Sequence, residues 1–506
     1  MSVLAPARRL WLACGLPAQT IEHLHLSSRP DPVVKSHFKL GTAAETSIGL
    51  SALAAAYFHQ LRTGDIDAQD VSVDARHAAI EFNSEKYYLV DGQPTANELF
   101  DDLAGVYETR DGHVRLHTNF PHHKRGILDI LGCDAQRASV AAALKAWSAL
   151  EFERKAIERG MCATALRSFD ELPLYPKDRD LSAVSPVRIT KIGDAPRREV
   201  SGDKQFIQAL QGMRVIDMTR VLAGPVCGRT LAAHGADVLW ITSPNLPDLP
   251  DLDVDTSRGK RTAQLDLNDA KARDQLRDLL SASDVFLQSY RPGGLASRGF
   301  SSERAATLRP GIVCANLSAY PPDSAWAEVR GFDSLVQTMS GFNVAEARAY
   351  AAYMRAQGAE ADELAALPPY RALPMQALDH AAGYFLAFGI AAALCRTITE
   401  GGSWEVHVSL AETMLWIKNL GTLDPAQAFG EELALPTKAS LPPHPEIAGL
   451  YTTLEECLAG SAADTAQSGP RRTLTAIRHS AVMSRTPVRK GCAPMKPNAQ
   501  CVGWST

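Results

Sequence analysis

The chain has 506 residues, 45% of them apolar and 22% charged, with a formal net charge of −5. That length exceeds what one hydrophobic core fills, so two or more domains are expected. The composition is that of a globular protein, and the mild acidity excludes broad nucleic-acid binding while leaving room for a local basic patch that takes an anionic small ligand.

The first residues, "MSVLAPARRLWLACGLPAQ", read as an ordinary first helix, because the apolar patch is too short and interrupted for a secretory leader. "SIGLSALAAAYFHQLRTG" (47–64) predicts a helix, and "DVSVDARHAAIEF" begins a second. "LAGVYETRDGHVRLHTNF" (103–120) predicts a hairpin turning at Asp111–Gly112. His113, His117, His122 and His123 cluster here. On a strand, His113 and His117 share a face but sit too far apart for easy joint ligation, so they are read as solvated hairpin residues and no metal site is expected. Helices fill 135–160, and the turn-rich, charged stretch 175–205 reads as a linker. Residues 1–200 thus form a small α+β region. The nine cysteines show neither CxxC nor zinc spacing, which predicts reduced, mostly buried thiols in a cytoplasmic compartment.

Residues 201–425 are more regular. "MRVIDM" (213–218) is a strand and "TRVLAGP" a loop. "VCGRTLAAHG" is a helix with Pro225 suited to its first turn and Gly235 to its end, and "ADVLWI" (236–241) is the next strand. This is a right-handed βαβ unit. Strands at "RTAQLDL", "DVFLQSY" and "GIVCANLSAY", with helices between, extend it to an α/β, doubly wound (Rossmann-like) parallel-sheet domain. Ligands of such sheets bind beyond the carboxyl ends of the strands, so "TRVLAGP", "SYRPGG" and "SAYPPD" form the candidate rim.

"LPMQALDHAAGYFLAFGIAAALCRT" (373–397) suits a buried helix, and its apolar run 381–395 falls short of the roughly 20 residues of a membrane span, so no membrane partner is expected. One acid, Asp379, opens it, either as a helix cap or as a carboxylate held for chemistry. An echo of this segment lies near the start. Gly49 matches Gly383, Arg62–Thr63 matches Arg396–Thr397, and Glu45 falls opposite Asp379. Residues 426–506 read as an extended surface tail with Trp504 docked.

The blocks "VIDMTRVLAGPVCGRTLAAHGADVLWI", "SRGKRTAQLDL", "DVFLQSYRPGGLASRGF", "RPGIVCANLSAY", "RGFDSLVQTMSGF" and "ALDHAAGYFLAFGIAAAL", in this order over some 210 residues, resemble the family III CoA-transferases, the CaiB/BaiF group. "LAGVYETRDGHVRLHTN" resembles the family's small domain, which normally follows the large one, so a second-half-like region stands first here. The resemblance implies that Asp379 is the catalytic nucleophile and that coenzyme A is a substrate, with no cofactor. The partners it implies are acyl-CoA, a carboxylic acid and, by default, a second copy of the chain in a homodimer. An aspartate of ordinary pKa is ionised at neutral pH and needs no base to attack a thioester. Val221, Leu222 and Ala223 match the loop lying against the nucleotide, and Tyr290 an aromatic near the adenine. Arg258, Lys260, Arg261, Arg291 and Arg298 are the candidate phosphate contacts, with Tyr320 at another strand end. Thr242, Ser243 and Ser297 depart from the family pattern. Two other readings compete. In an acyl-CoA racemase of this fold, Phe332 occupies the histidine's place and His380 would have to substitute. The other is a non-catalytic CoA-binding paralogue.

Overall fold

The computed structural model describes residues 3–456, apart from 96–97, 177–178, 183 and 201–205, together with 472–493, 498 and 502–504. Its largest sheet has seven strands: β1 (Arg188–Gly193), β2 (Arg214–Met218), β3 (Asp237–Thr242), β4 (Arg261–Gln264), β5 (Val285–Gln288), β6 (Val313–Ser318) and β7 (Ser403–Ser409). The spatial order is β4-β3-β2-β5-β6-β7-β1. All neighbours pair in parallel except β7 with β1. The central strands are apolar on both faces, as sheets covered by helices on both sides require. The order reverses between β2 and β5, which is the place where such sheets bind ligands.

Two boundaries differ from expectation. β1 lies inside the stretch read as a linker, because its Arg188, Thr190 and Lys191 give no alternation that marks a strand, and pairing with β7 decides its conformation. The C-terminal region is not an extended tail. Tyr451–Glu455 and Thr473–Ile477 pair with each other, and the latter pairs with Leu89–Val90. Val482–Met483 pairs with Val71–Val73. Leu454, Leu474 and Ile477 are buried there. Short strands completed by residues hundreds of positions away leave weak periodicity. Trp504 does dock, donating from Nε1 to the carbonyl of Leu279 at 3.2 Å.

Six helices matter to the site: α1 (Leu40–Thr63), α2 (Ala75–Glu81), α3 (Ala223–Ala233), α4 (Asp333–Ser340), α5 (Ala377–Thr399) and α6 (Leu410–Asn419). α5 is apolar on every side and long enough to cross a membrane by length and composition, yet 94% of its apolar window is buried inside the protein. It packs along α1 and against α3. Gly383 permits the second contact: a Cβ there would stand 2.5 Å from the Ala223 carbonyl oxygen and 2.9 Å from Val226. Backbone cannot yield as a side-chain tip can. Gly383→Ala is therefore expected to push α5 off α3 and to cost about 1–3 kcal/mol, read as a fall in Tm.

The echo has a structural counterpart. α1, strand Val71–Val73 and α2 repeat the order of α5, β7 and α6. The residues before α1 and α5 share one conformation, Lys39 at φ −78°, ψ 66° and Gln376 at φ −79°, ψ 64°. A distant carboxylate caps each helix. Asp31 accepts from Gly41 and Thr42 N–H at 2.8 and 3.1 Å, and Asp333 from Leu378 and Asp379 N–H at 2.8 and 3.0 Å. In this register the counterpart of Asp379 is Thr42, not Glu45. Matching on the arginines near the helix ends misaligned the starts by three residues, since Arg62 is the 23rd residue of α1 and Arg396 only the 20th of α5.

The hairpin Gly105–Glu108 with His113–Leu116 forms as expected, and Ala163–Ala165 adds a third strand. With helices Pro121–Leu131, Arg137–Leu144 and Ala149–Glu158 it closes a separate core around Leu116, Ile127 and Phe152. Among the described residues six cysteines are free. Cys492 is disulfide-bonded, against the expectation of reduced thiols, because scattered spacing does not reveal which thiols the fold brings together.

Candidate active site

A cavity of about 460 Å³ opens at the carboxyl ends of β2 to β6, on the predicted rim. Val221, Tyr290, Arg291 and Arg298 line it as expected. Val221 has φ +73°, a conformation that strains a β-branched residue and that recurs at ligand-binding turns. Thr242 and Ser243, the departures from the family pattern, also line it, and the buried Thr242 hydroxyl has no hydrogen-bond partner. Leu222 and Ala223 are buried at the start of α3 without lining the cavity.

Three predicted phosphate contacts lie elsewhere. Arg258 and Lys260 precede β4 and Arg261 is its first residue, and in a parallel sheet that places them at the opposite end from the cleft. Lys260 is fully buried, its ammonium donating to Asp217 and to the Pro225 carbonyl, both at 2.8 Å. Arg258 binds Asp255 and the Ile477 carbonyl. Arg261 makes a fork to Asp237 and donates to the Gly503 carbonyl. Tyr320 is buried edge-on to Trp326, also outside the cavity.

Residues that were not singled out replace them. Arg220 and Arg330 line the cavity, giving it, with Arg291 and Arg298, four guanidiniums against the carboxylate of Asp266. Burial holds Arg291 and Arg330 below the usual arginine range, and the charge of Arg330 adds to the lowering of Arg291. A Lys/Arg-rich cleft beside a helix start suits phosphate groups. Phe120, His122 and His123 reach the same cavity from the N-terminal region. His117 and His123 are buried rather than solvated: His117 stacks on Phe332 at 3.9 Å, and His123 accepts from Arg330 at 3.0 Å.

Phe332 lines the cavity. The next residue, Asp333, opens α4 and caps α5 as described above. Gln337 donates to the other oxygen of Asp333, and its own carbonyl oxygen accepts from Leu373 N–H at 3.0 Å, which fixes the loop entering α5. Asp379 thus does not cap its helix; Asp333 does. Asp379 keeps 8% exposure, and no donor among the described residues pairs with its carboxylate. It does not itself line the 460 Å³ cavity. Burial, then Asp333 and Glu85, push its carboxyl well above the usual carboxylate range, against the expectation of ordinary ionisation at neutral pH. Asp333 is raised too, by burial, but it accepts two N–H bonds and one amide bond that favour its charged form and that Asp379 lacks among the described residues. Asp333→Asn removes that negative neighbour. It should move the acid limb of Asp379-dependent chemistry to lower pH and cost about 1 kcal/mol of stability through the weaker cap. A pH–rate profile beside a melting curve checks both. Asp333 escaped sequence reading because its partners are N–H groups 45 residues away.

His380 does not fill the histidine's place left by Phe332. It is fully buried, and its Nε2 meets Glu85 at 3.0 Å.

A doubly wound sheet with a cationic cleft at its switch point suits a phosphate-bearing ligand, and the buried Asp379 is tied through its N–H to Asp333, the residue after the cavity-wall Phe332. The model of CoA-transferase family III matches residues 210–468, just over half of the chain, and the chain belongs to that family. An acyl-CoA transferase of Gibberella moniliformis is 30% identical over 342 residues, covering 63% of this chain and 56% of that relative. A succinate–glutarate CoA-transferase of Agrobacterium fabrum is 32% identical over 151 residues, 26% of this chain and 38% of that relative. The chain therefore spans about half or less of the length of these relatives. A crystal structure of a CaiB/BaiF family protein from Brucella suis aligns with 41% of this chain and 55% of that one at 23% identity and a TM-score of 0.35.

Proposed function

We propose that the protein transfers CoA from an acyl-CoA to a carboxylic acid, with Asp379 as covalent nucleophile. The observation that carries this reading is the Asp379 carboxylate. It has no hydrogen-bond donor of its own among the described residues, and its backbone is clamped by Asp333 beside the cationic cleft. A carboxylate held without donors is poorly solvated and strongly basic, and once ionised it is a better nucleophile than one in water.

In the proposed cycle an Asp379 oxygen attacks the thioester carbonyl, the C–S bond breaks, and CoA leaves as thiolate. The thiolate then attacks the aspartyl carbonyl of the mixed anhydride, releasing the donor acid and forming an aspartyl-CoA thioester. The acceptor carboxylate attacks that thioester, and the returning thiolate takes up its acyl group, regenerating Asp379. Each step exchanges one activated acyl bond for another. The arginines of the cleft would hold the phosphates of CoA. The pairing of α1 with α5 within one chain supports a protomer that carries both halves of this helix pair, and a homodimer of such protomers is proposed for test by sedimentation.

The test is acyl capture. The protein is incubated with a panel of acyl-CoAs without acceptor, quenched with hydroxylamine and mapped by peptide mass spectrometry. A hydroxamate at Asp379 is expected. Exchange of the α-proton into deuterated water without an adduct would support a racemase instead, and CoA binding with neither signal would support a non-catalytic paralogue.

A further inference from the structure

A second cavity, of about 310 Å³, lies at the other end of the sheet, between the C-terminal half of α3, the turn before β4 and the chain from 478 to 491. It shares no lining residue with the larger cavity. We propose that it is a binding site for a small phosphate-bearing ligand.

The charge balance points to an anion. Asp255 neutralises part of Arg229 and Arg258. The only carboxylate among the cavity's lining residues, Glu81, is engaged by His479, whose Nδ1 stands 2.8 Å from it, and by the Tyr384 hydroxyl at 2.7 Å. That leaves Arg478, Arg489 and Lys490 with no ion pair to a carboxylate among the described residues. Arg489 is tied only to the carbonyls of Ala232, Ala236 and Gly259, and Arg478 to that of Gly449.

An independent observation is the imidazole of His479. Its side chain is 7% exposed and it lines the cavity, but its Nε2 has no hydrogen-bond partner. Buried polar atoms without partners are costly, and a ligand oxygen would satisfy them. Burial alone would raise the carboxyl of Glu81, but His479 and Arg229 hold it well below its usual range, so it stays a carboxylate that accepts the Nδ1 proton. With Nδ1 donating to Glu81, Nε2 accepts from the hydroxyl of a phosphate group, while the guanidiniums of Arg478 and Arg489 and the ammonium of Lys490, which line the same cavity, donate to its other oxygens.

Equilibrium dialysis of the full chain against labelled inorganic pyrophosphate, with CoA saturating the larger cavity, tests this. One saturable binding event is expected. It should weaken at least about tenfold in the double variant Arg478→Gln/Lys490→Gln, the worth of one charge-assisted hydrogen bond. Both side chains belong to exposed residues, so the variant keeps the fold. Arg291→Ala, in the larger cavity, should leave it unchanged. Loss of binding whenever CoA is present, equal affinity in the double variant, or loss in Arg291→Ala would each overturn the proposal. Succinate binding as tightly as pyrophosphate would overturn the phosphate assignment.

Discussion

Asp379→Asn is expected to lower acyl transfer by on the order of 10³-fold or more and to remove the hydroxamate from the α5 peptide, because an amide cannot form the anhydride. The same variant should be more stable than the native chain at alkaline pH. The reason is the position of the carboxyl. Its folded pKa is raised by burial, Asp333 and Glu85, whereas an unfolded aspartate titrates near 3.9. A group raised in this way favours folding while protonated, and that contribution is lost as pH rises through the folded pKa. Asn removes the buried charge, so the stability gain, about 1–3 kcal/mol, should appear at alkaline pH and shrink toward acid. Transfer by the native enzyme has the opposite dependence, since only the ionised form attacks, so its rate should climb through the interval in which stability falls. Melting curves and acyl-capture rates across pH check both slopes. Parallel loss of activity and stability in Asp379→Asn would mean that the carboxyl supports the fold rather than the chemistry.

The large domain was legible because its strands are buried on both faces and each is followed by a helix. Local composition therefore reports tertiary environment directly, and the rim loops followed from chain direction alone. Val221, Tyr290 and Arg291 lie on those loops and line the cavity, as does Arg298 four residues beyond the second loop. The "SRGKR" block failed for the same geometric reason read the other way: basic residues before a strand end up on the far side of a parallel sheet. Asp333 was hidden because its partners are backbone groups at the start of another helix. Phe120, His122 and His123 were hidden because only the packing of the small α+β region against the large domain brings them to the cleft. β1 and the strands after 450 are specified by pairing partners distant in sequence, a kind of information that periodicity does not carry.

Lys260→Ala should be among the most damaging single changes in the chain, costing about 3–5 kcal/mol, while leaving the cleft intact. Its ammonium and the carboxylate of Asp217 are both completely buried and meet at 2.8 Å, and the ammonium also donates to the Pro225 carbonyl in the first turn of α3. Asp217 also accepts from the N–H and hydroxyl of Thr219, and a Cβ at Gly228 would stand 2.0 Å from its Oδ2, so the carboxylate has no room to turn away. Burial draws the ammonium below the usual lysine range and Asp217 opposes it, so the pair persists as ions only while both members are present. Removing one leaves a carboxylate in the apolar interior with its main counter-charge gone, and that desolvation, not the lost attraction, sets the size of the effect. The double variant Lys260→Met/Asp217→Asn carries no buried charge and should recover most of the loss. Were Lys260 a phosphate contact, Lys260→Met would weaken CoA binding with little change in Tm, and the second substitution would rescue nothing. Denaturant unfolding of the two single variants and the double one, beside CoA affinity for those that fold, separates a lysine that holds the β2–α3 turn from one that holds the ligand.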